Sequence, residues 1–447
     1  MMEDDGFGGE YKLKPLTTPG FKGLLKKQII CMSSTHWHFL WQRPQQIMSR
    51  LSREYNVLFV DPPYLVTAAE LSRGKGGGVD ITGRLNHVSG SLKVLSPHQL
   101  QEAETSGAGP SGRNALAHPV RDQIRQALQQ LKWNQPSLLW IYNPRAVTLA
   151  GQLDETGLVY DCVDSFTSFS WADPRTGQWE QELLGKANVV ITSAAKLYER
   201  HRNCGKPLYL VSNAADFEHF SKINGNGGVE PADLRGIKHP RLGFIGAIYE
   251  WLDFELIERL AVDNPQWNLV LIGPRQHGLG LPEAPHNLHW LGPRDYKALP
   301  WYLNHLDIMI IPFLLNETTE HANPIKLWEY LAAGKPVVTT ELPEVPRISG
   351  VTWISENYQK FQENCANALD TVREPTRRSE VTMRARSVAR CNSWEERCRQ
   401  IGSILRENFA HLNLPNFSKG SVRDENCHYG RPTGNGGIRN PYRYLGK

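Results

Sequence analysis

The sequence contains no run of 18 or more apolar residues, so no segment reads as a membrane-spanning helix. Its opening residues, MMEDDGFGGE, are acidic and glycine-rich and lack the apolar stretch of a secretory leader. The seven cysteines, at 31, 162, 204, 365, 391, 398 and 427, have no metal-ligand spacing. Scattered and odd in number, they read as reduced thiols of a cytoplasmic protein. No metal is expected, and no D-x-D triplet occurs. The glycine pattern G-x-G-x-x-G, which opens many dinucleotide-binding folds, is missing after the first apolar run. Charge of one sign is scarce as well. The net +4 falls in residues 418–447, which hold six Lys/Arg against two Asp/Glu, so nucleic acid is not an expected partner.

What is present is an alternation of short aliphatic runs with amphipathic stretches, the pattern of an α/β chain. Residues 1–27 read as a flexible N-terminal extension. From 28 to 224 the alternation begins: QIICMSS, then a helix from about Pro44 to Glu54, then NVLFVDPP. Further strands are expected at SLKVLSP, SLLWIYNP, LVYDCVDSF, ANVVITS and PLYLVSN, with helices over 120–133 and about 145–153 among them. The segments 73–78 (RGKGGG) and 104–114 (ETSGAGPSGRN) read as loops. A Gly/Pro-rich linker occupies 225–239. The alternation restarts over 240–410, with RLGFIGAI, WNLVLIGP, NLHWLGP and LDIMIIPF as strands and three helices at the end. The two α/β halves predict a ligand cleft between them. Residues 411–447 form a basic tail with two readings: a disordered terminus, or peripheral contact with an anionic membrane surface or polyanionic product through its charges and Tyr429, Tyr442 and Tyr444.

Candidate site residues cluster where strands end. The loop after the first strand carries His36, Trp37, Trp41 and Arg43, suited to stacking on sugar rings and holding phosphate. Packing against the next domain is the alternative for the tryptophans. Asp161 and Asp164 follow another strand and are candidates to bind an acceptor hydroxyl or act as base; capping of the loop is the alternative. NPIKLWEYLAAGKPVVT, 323–339, reads as loop, helix and buried strand, with Asn323 as cap and Pro324 in the first turn. Such a helix start suits a diphosphate, and Glu329 lies within reach of a ribose.

These segments resemble the retaining GT-B glycosyltransferases of family 4, over about residues 28–410. The likeness is greatest to bacterial enzymes of teichuronic-acid and capsular-polysaccharide type, which carry a similar HxxxWQRPQ opening and a similar NPIKLWEYLAAGKPVV segment. SNAADFEHF is similar to the family's turn between domains, with Asn213 and Asp216 at the matching positions. The resemblance implies two Rossmann-like domains facing across a cleft, closed by C-terminal helices. It implies hexose transfer, with retention, from a UDP- or GDP-type nucleotide sugar to a lipid-linked or polysaccharide acceptor, without a metal or separate cofactor. The family's E-x7-E pattern ends at Glu329, on the donor ribose, and its first glutamate falls on His321. Where relatives place an Arg and a Lys on phosphate, this chain has Tyr249, Glu250 and Trp251 beyond Gly246. Lys326, Arg275, Arg294 and Arg43 are the candidate replacements. A nucleotide-sugar epimerase or hydrolase of the same fold, or a non-catalytic binding subunit of a wall-assembly complex, are the alternative functions.

Overall fold

A computed structural model describes residues 26–66, 83–100, 118–222, 228–276 and 285–415. The segments 73–78 and 104–114, most of the N-terminal extension, the start of the linker and most of the basic tail lie outside the described residues. No helix among the described residues is long and apolar enough to cross a membrane.

The first lobe is built on strands β1 (Gln28–Met32), β2 (Asn56–Val60), β3 (Tyr64–Val66), β4 (Arg84–His87), β5 (Leu92–Ser96), β6 (His98–Leu100), β7 (Ser137–Ile141), β8 (Glu155–Cys162), β9 (Val189–Thr192) and β10 (Leu208–Leu210). Eight of them form one sheet in the order β10-β9-β8-β7-β1-β2-β5-β4, while β3 and β6 pair separately. All pairs in the large sheet are parallel except β4 with β5. Runs such as IICM and VLFV are buried throughout because apolar clusters cover both faces of the sheet. Strand order reverses around β1, which opens a crevice at the carboxyl ends of β1 and β7.

The second lobe holds β11 (Arg241–Ile245), β12 (Asn268–Ile272), β13 (Leu288–Gly292), β14 (Ile308–Ile311), β15 (Val337–Thr340) and β16 (Thr352–Ser355). They pair in the order β13-β12-β11-β14-β15-β16, all parallel, around a separate apolar core. The helix Ile325–Ala332 enters β15 through Gly334, whose φ of +79° closes the turn.

Three local expectations shift. The first helix is Arg43–Leu51: it starts one residue earlier than expected, where Gln45 Oε1 accepts the Gln42 amide (3.2 Å), and ends three residues sooner. The stretch expected as a helix over 145–153 is a 3-10 turn, Pro144–Leu149, capped by Asn143. The helix Trp394–Asn408 crosses back and packs in the first lobe: Trp394, Ile401 and Leu405 join Trp37, Ile47 and Met48 in one core. The crossing is anchored where the Trp394 amide donates to the Ala215 carbonyl (3.0 Å) and Arg397 Nε to the Ser212 carbonyl (2.9 Å). Cys31, Cys162, Cys204, Cys365 and Cys398 are free thiols, as expected; Cys391 is disulfide-bonded and departs from that expectation.

Candidate functional site

The carboxyl ends of β11 and β12 come unusually close. A β-carbon on Gly273 would sit 1.8 Å from the Gly246 carbonyl oxygen, and one on Gly246 would sit 1.7 Å from Lys326 Cε. Only glycine lets the two strand exits and the lysine stem share this space. Lys326 and Glu329 lie one turn apart on the helix Ile325–Ala332, so both side chains face the same edge. Burial pushes the Glu329 carboxyl up to about 7, opposed by Lys326 and reinforced by Asp216. Burial likewise lowers the Lys326 ammonium, against the pull of Glu329. A half-buried cation and a buried carboxyl thus meet over a bare backbone turn.

The start of that helix differs from expectation. Its cap position is Pro324, without a side-chain cap, which leaves the Ile325 and Lys326 amides to a ligand or solvent, while the Leu327 amide donates to the Pro324 carbonyl (3.2 Å). Asn323 does not cap. Its Nδ2 donates to Glu344 Oε2 (2.9 Å), and its carbonyl accepts from Asn213 Nδ2 (2.7 Å). Glu344 also accepts the Ala195 amide of the first lobe (2.7 Å), so Asn323 belongs to a seam between lobes.

Arg43 and Asp161 require a correction. Both are buried, and Arg43 Nη2 lies 3.0 Å from Asp161 Oδ1. Arg43 Nη1 donates to the Val211 carbonyl (2.8 Å) and to Asn213 Oδ1 (3.2 Å). With its charge satisfied inside the first lobe, Arg43 is not exposed to a phosphate, nor Asp161 to an acceptor. Asp161 holds Arg43, Arg43 holds Asn213, and Asn213 in turn holds Asn323. Asp164 stands apart from them. It is half-buried, burial alone pushes its carboxyl up to about 7, and its carboxylate has no hydrogen bond or ion pair among the described residues.

The other candidates divide. Arg294 is held by Asp233 and donates from Nε to the Tyr302 hydroxyl (2.8 Å), so it is bound within its own lobe and not free for phosphate. Arg275 is exposed, two residues beyond Gly273, with its guanidinium 5.7 Å over the Trp290 ring. His321 follows a short helix, Glu317–Glu320, and its Nδ1 lies 2.7 Å from the Glu317 carbonyl, a local pairing. Trp37 is a core residue against Phe59 and Trp41. Trp41 packs 5.7 Å from Tyr296 of the second lobe, which makes it interface and not an open platform. His36 stays half-exposed, with Nδ1 3.9 Å from Asp61 Oδ2 and its ring 4.5 Å from Tyr64.

Tyr296 and Glu344 carried no sequence signal, because each gains its place only when the lobes meet. Tyr296 accepts from Gln46 Nε2 (2.9 Å) and donates to Asp216 Oδ2 (3.3 Å), and Asp216 also pairs with Arg50 (3.2 Å). Asp216 was legible through SNAADFEHF. Among the described residues the group with metal-ligand spacing is Cys162, Glu180 and His201, buried within 4.8 Å of one another. There Glu180 already accepts from the Tyr160 hydroxyl (2.8 Å) and Arg200 (3.3 Å), and that guanidinium opposes a second cation.

Residues 239–371, which contain the glycine turn, Lys326 and Glu329, match the family described as "Glycosyl transferases group 1". A Bacillus subtilis (strain 168) protein described as "Putative teichuronic acid biosynthesis glycosyltransferase TuaH" is 30% identical over 236 residues, 47% of this chain and 57% of that protein. The chain thus spans little more than half the length of that curated relative. Three solved structures share the whole architecture. An Escherichia coli trehalose-6-phosphate structure bound with UDP-2-fluoro glucose superposes with TM-score 0.57 at 12% identity, covering 85% of this chain and 99% of that one. A UDP-forming alpha,alpha-trehalose-phosphate synthase from Burkholderia vietnamiensis gives 0.61 at 11%, covering 88% and 100%. Anabaena Alr3699/HepE, in complex with UDP and glucose, gives 0.55 at 15%, covering 85% and 99%. The fold of this chain is GT-B.

Proposed function

We propose that the protein transfers a hexose from a nucleoside diphosphate sugar to a glycan or lipid-linked acceptor. The observation that carries this is the corner formed by Gly246, Lys326 and Glu329 at the strand ends facing the first lobe. Glu329 holds the ribose hydroxyls. Lys326 and the first-turn amides beyond Pro324 face the diphosphate, with Arg275 at the rim. As the sugar–phosphate bond breaks, negative charge grows on the leaving diphosphate, and fixed donors in a half-buried site stabilise it most at that point. Lys326 then supplies part of the charge that Tyr249, Glu250 and Trp251 do not. Asp164, across the cleft, orients the acceptor hydroxyl. Neither a metal nor a separate cofactor enters this scheme, and retention follows the family resemblance. UDP is the expected nucleotide, since two of the similar structures were solved with UDP or a UDP sugar.

A thermal-shift panel of UDP-, GDP-, ADP- and TDP-sugars tests the proposal, because a ligand bound only by the folded state raises the melting temperature. One nucleotide series stabilises the wild type and loses its effect in Glu329→Ala. A panel without any shift, or one unchanged in Glu329→Ala, overturns the proposal.

A further inference from the structure

Three residues beyond Gly246 the lobes meet again, through aromatic rings. Phe169 and Trp171, in the loop after β8, stack with centroids 4.9 Å apart and planes at 9°. Tyr249 and Trp251, after β11, stack at 4.9 Å and 27°. Trp171 meets Tyr249 edge-on at 6.5 Å and Trp251 at 6.4 Å with the planes tilted by 58°. Within this step the Ser170 hydroxyl donates to Glu250 Oε2 (2.6 Å) and the Ser170 amide to Oε1 (3.4 Å). Although it bridges the lobes, Trp171 remains 52% exposed. A large indole left open in water beside a carboxylate, where the two lobes meet, is a surface built for contact.

We propose that this surface is a glycan subsite on the acceptor side, where one pyranose ring of a neutral oligosaccharide lies on Trp171 and its hydroxyls donate to Glu250. It rests on the glycosyl-transfer reading for its purpose. A pyranose has an apolar C–H face bordered by hydroxyls, which matches a flat ring beside an acidic acceptor. Charge separates this ligand from its rivals. Glu250 sits within the step and Asp173 follows Trp171, while Arg175 is held by Asp173 (2.9 Å) and lies over Trp179 at 4.8 Å. An anionic lipid headgroup or a phosphate meets like charge here, whereas a neutral sugar does not. The same substitution that removes phosphate cations from the turn after Gly246 therefore supplies a sugar platform at its edge.

The test uses the full chain and its Trp171→Ala and Trp171→Phe variants. Saturation-transfer NMR is recorded with maltohexaose, cellohexaose and chitohexaose, sedimentation with phosphatidylglycerol vesicles, and calorimetry with UDP. At least one hexasaccharide binds the wild type saturably; Trp171→Ala weakens it about tenfold or more, and Trp171→Phe by less than about threefold. UDP affinity and melting temperature stay at wild-type values in both variants. Sugar binding without UDP binding supports the subsite and removes the donor reading. Equal sugar binding in Trp171→Ala, no binding of any of the three sugars, or Trp171-dependent vesicle binding in place of sugar binding overturns the proposal.

Discussion

Lys326 lies across Gly246 so closely that a β-carbon at 246 would stand 2.5 Å from the lysine nitrogen. One residue comes from a strand exit and the other from a helix eighty residues later in the chain. Their contact fixes where the cation sits relative to Glu329 and the cleft. The flexible lysine stem gives way to a methyl group at 246, but the φ of +159° there strains any side chain, so the substitution both displaces the cation and destabilises the turn.

Gly246→Ala is therefore expected to weaken nucleotide-sugar binding about tenfold, about 1.4 kcal/mol, and to lower the melting temperature as well. In a Lys326→Ala background the same change costs little further affinity, since the two act through one group. Calorimetry on the four members of the cycle measures the coupling, and full additivity contradicts it.

Glu329 ties stability to pH. Its folded-state pKa of about 7 lies above the ordinary 4.5, so the folded chain keeps a proton that the unfolded chain releases. The resulting stabilisation is complete below the unfolded value and is lost as pH rises through the folded one. Glu329→Gln should exceed wild type in stability by up to about 3 kcal/mol near about pH 8, and the gap should close towards about pH 5. Urea unfolding at the two pH values checks this. A gap that widens on acidification would have the wrong sign.

Asp164 acts in its ionised form if it orients an acceptor hydroxyl. Turnover should then rise with pH through about 7, where its carboxyl titrates. Asp164→Asn is expected to lower kcat/KM for the acceptor about a hundredfold or more and to remove that acid limb, with UDP affinity unchanged. A pH–rate profile for both proteins reads the effect.

Arg43→Met leaves Asp161 as an unpaired buried carboxylate. The expected cost is about 3–5 kcal/mol of stability, and Arg43→Met with Asp161→Leu recovers part of it. Denaturant unfolding measures both variants. A fully stable Arg43→Met that loses only phosphate affinity would restore Arg43 as a ligand residue.

The sequence made the repeating units and the helix that carries Lys326 and Glu329 legible, because strand runs and the one-turn spacing of Lys326 and Glu329 are local patterns. Arg43 and Asp161 were misread for the opposite reason. They lie 118 positions apart, and only the sheet order, with β7 between β1 and β8, closes the distance. Trp394 shows the same limit: a helical period reveals its buried face but not which lobe buries it. Trp37 and Trp41 look alike in a motif, yet one fills a core and the other an interface. For Tyr249 and Trp251 the sequence revealed an absence of cations, whereas the ring facing them comes from Trp171 in the other lobe.

Calorimetric titration of UDP into wild type and Lys326→Ala addresses the donor corner most directly. The structure predicts saturable binding by the wild type and a loss of about tenfold or more in the variant, with the fold intact by circular dichroism. Equal affinity in the two proteins, or no binding by the wild type, would contradict a diphosphate held by Lys326 over Gly246.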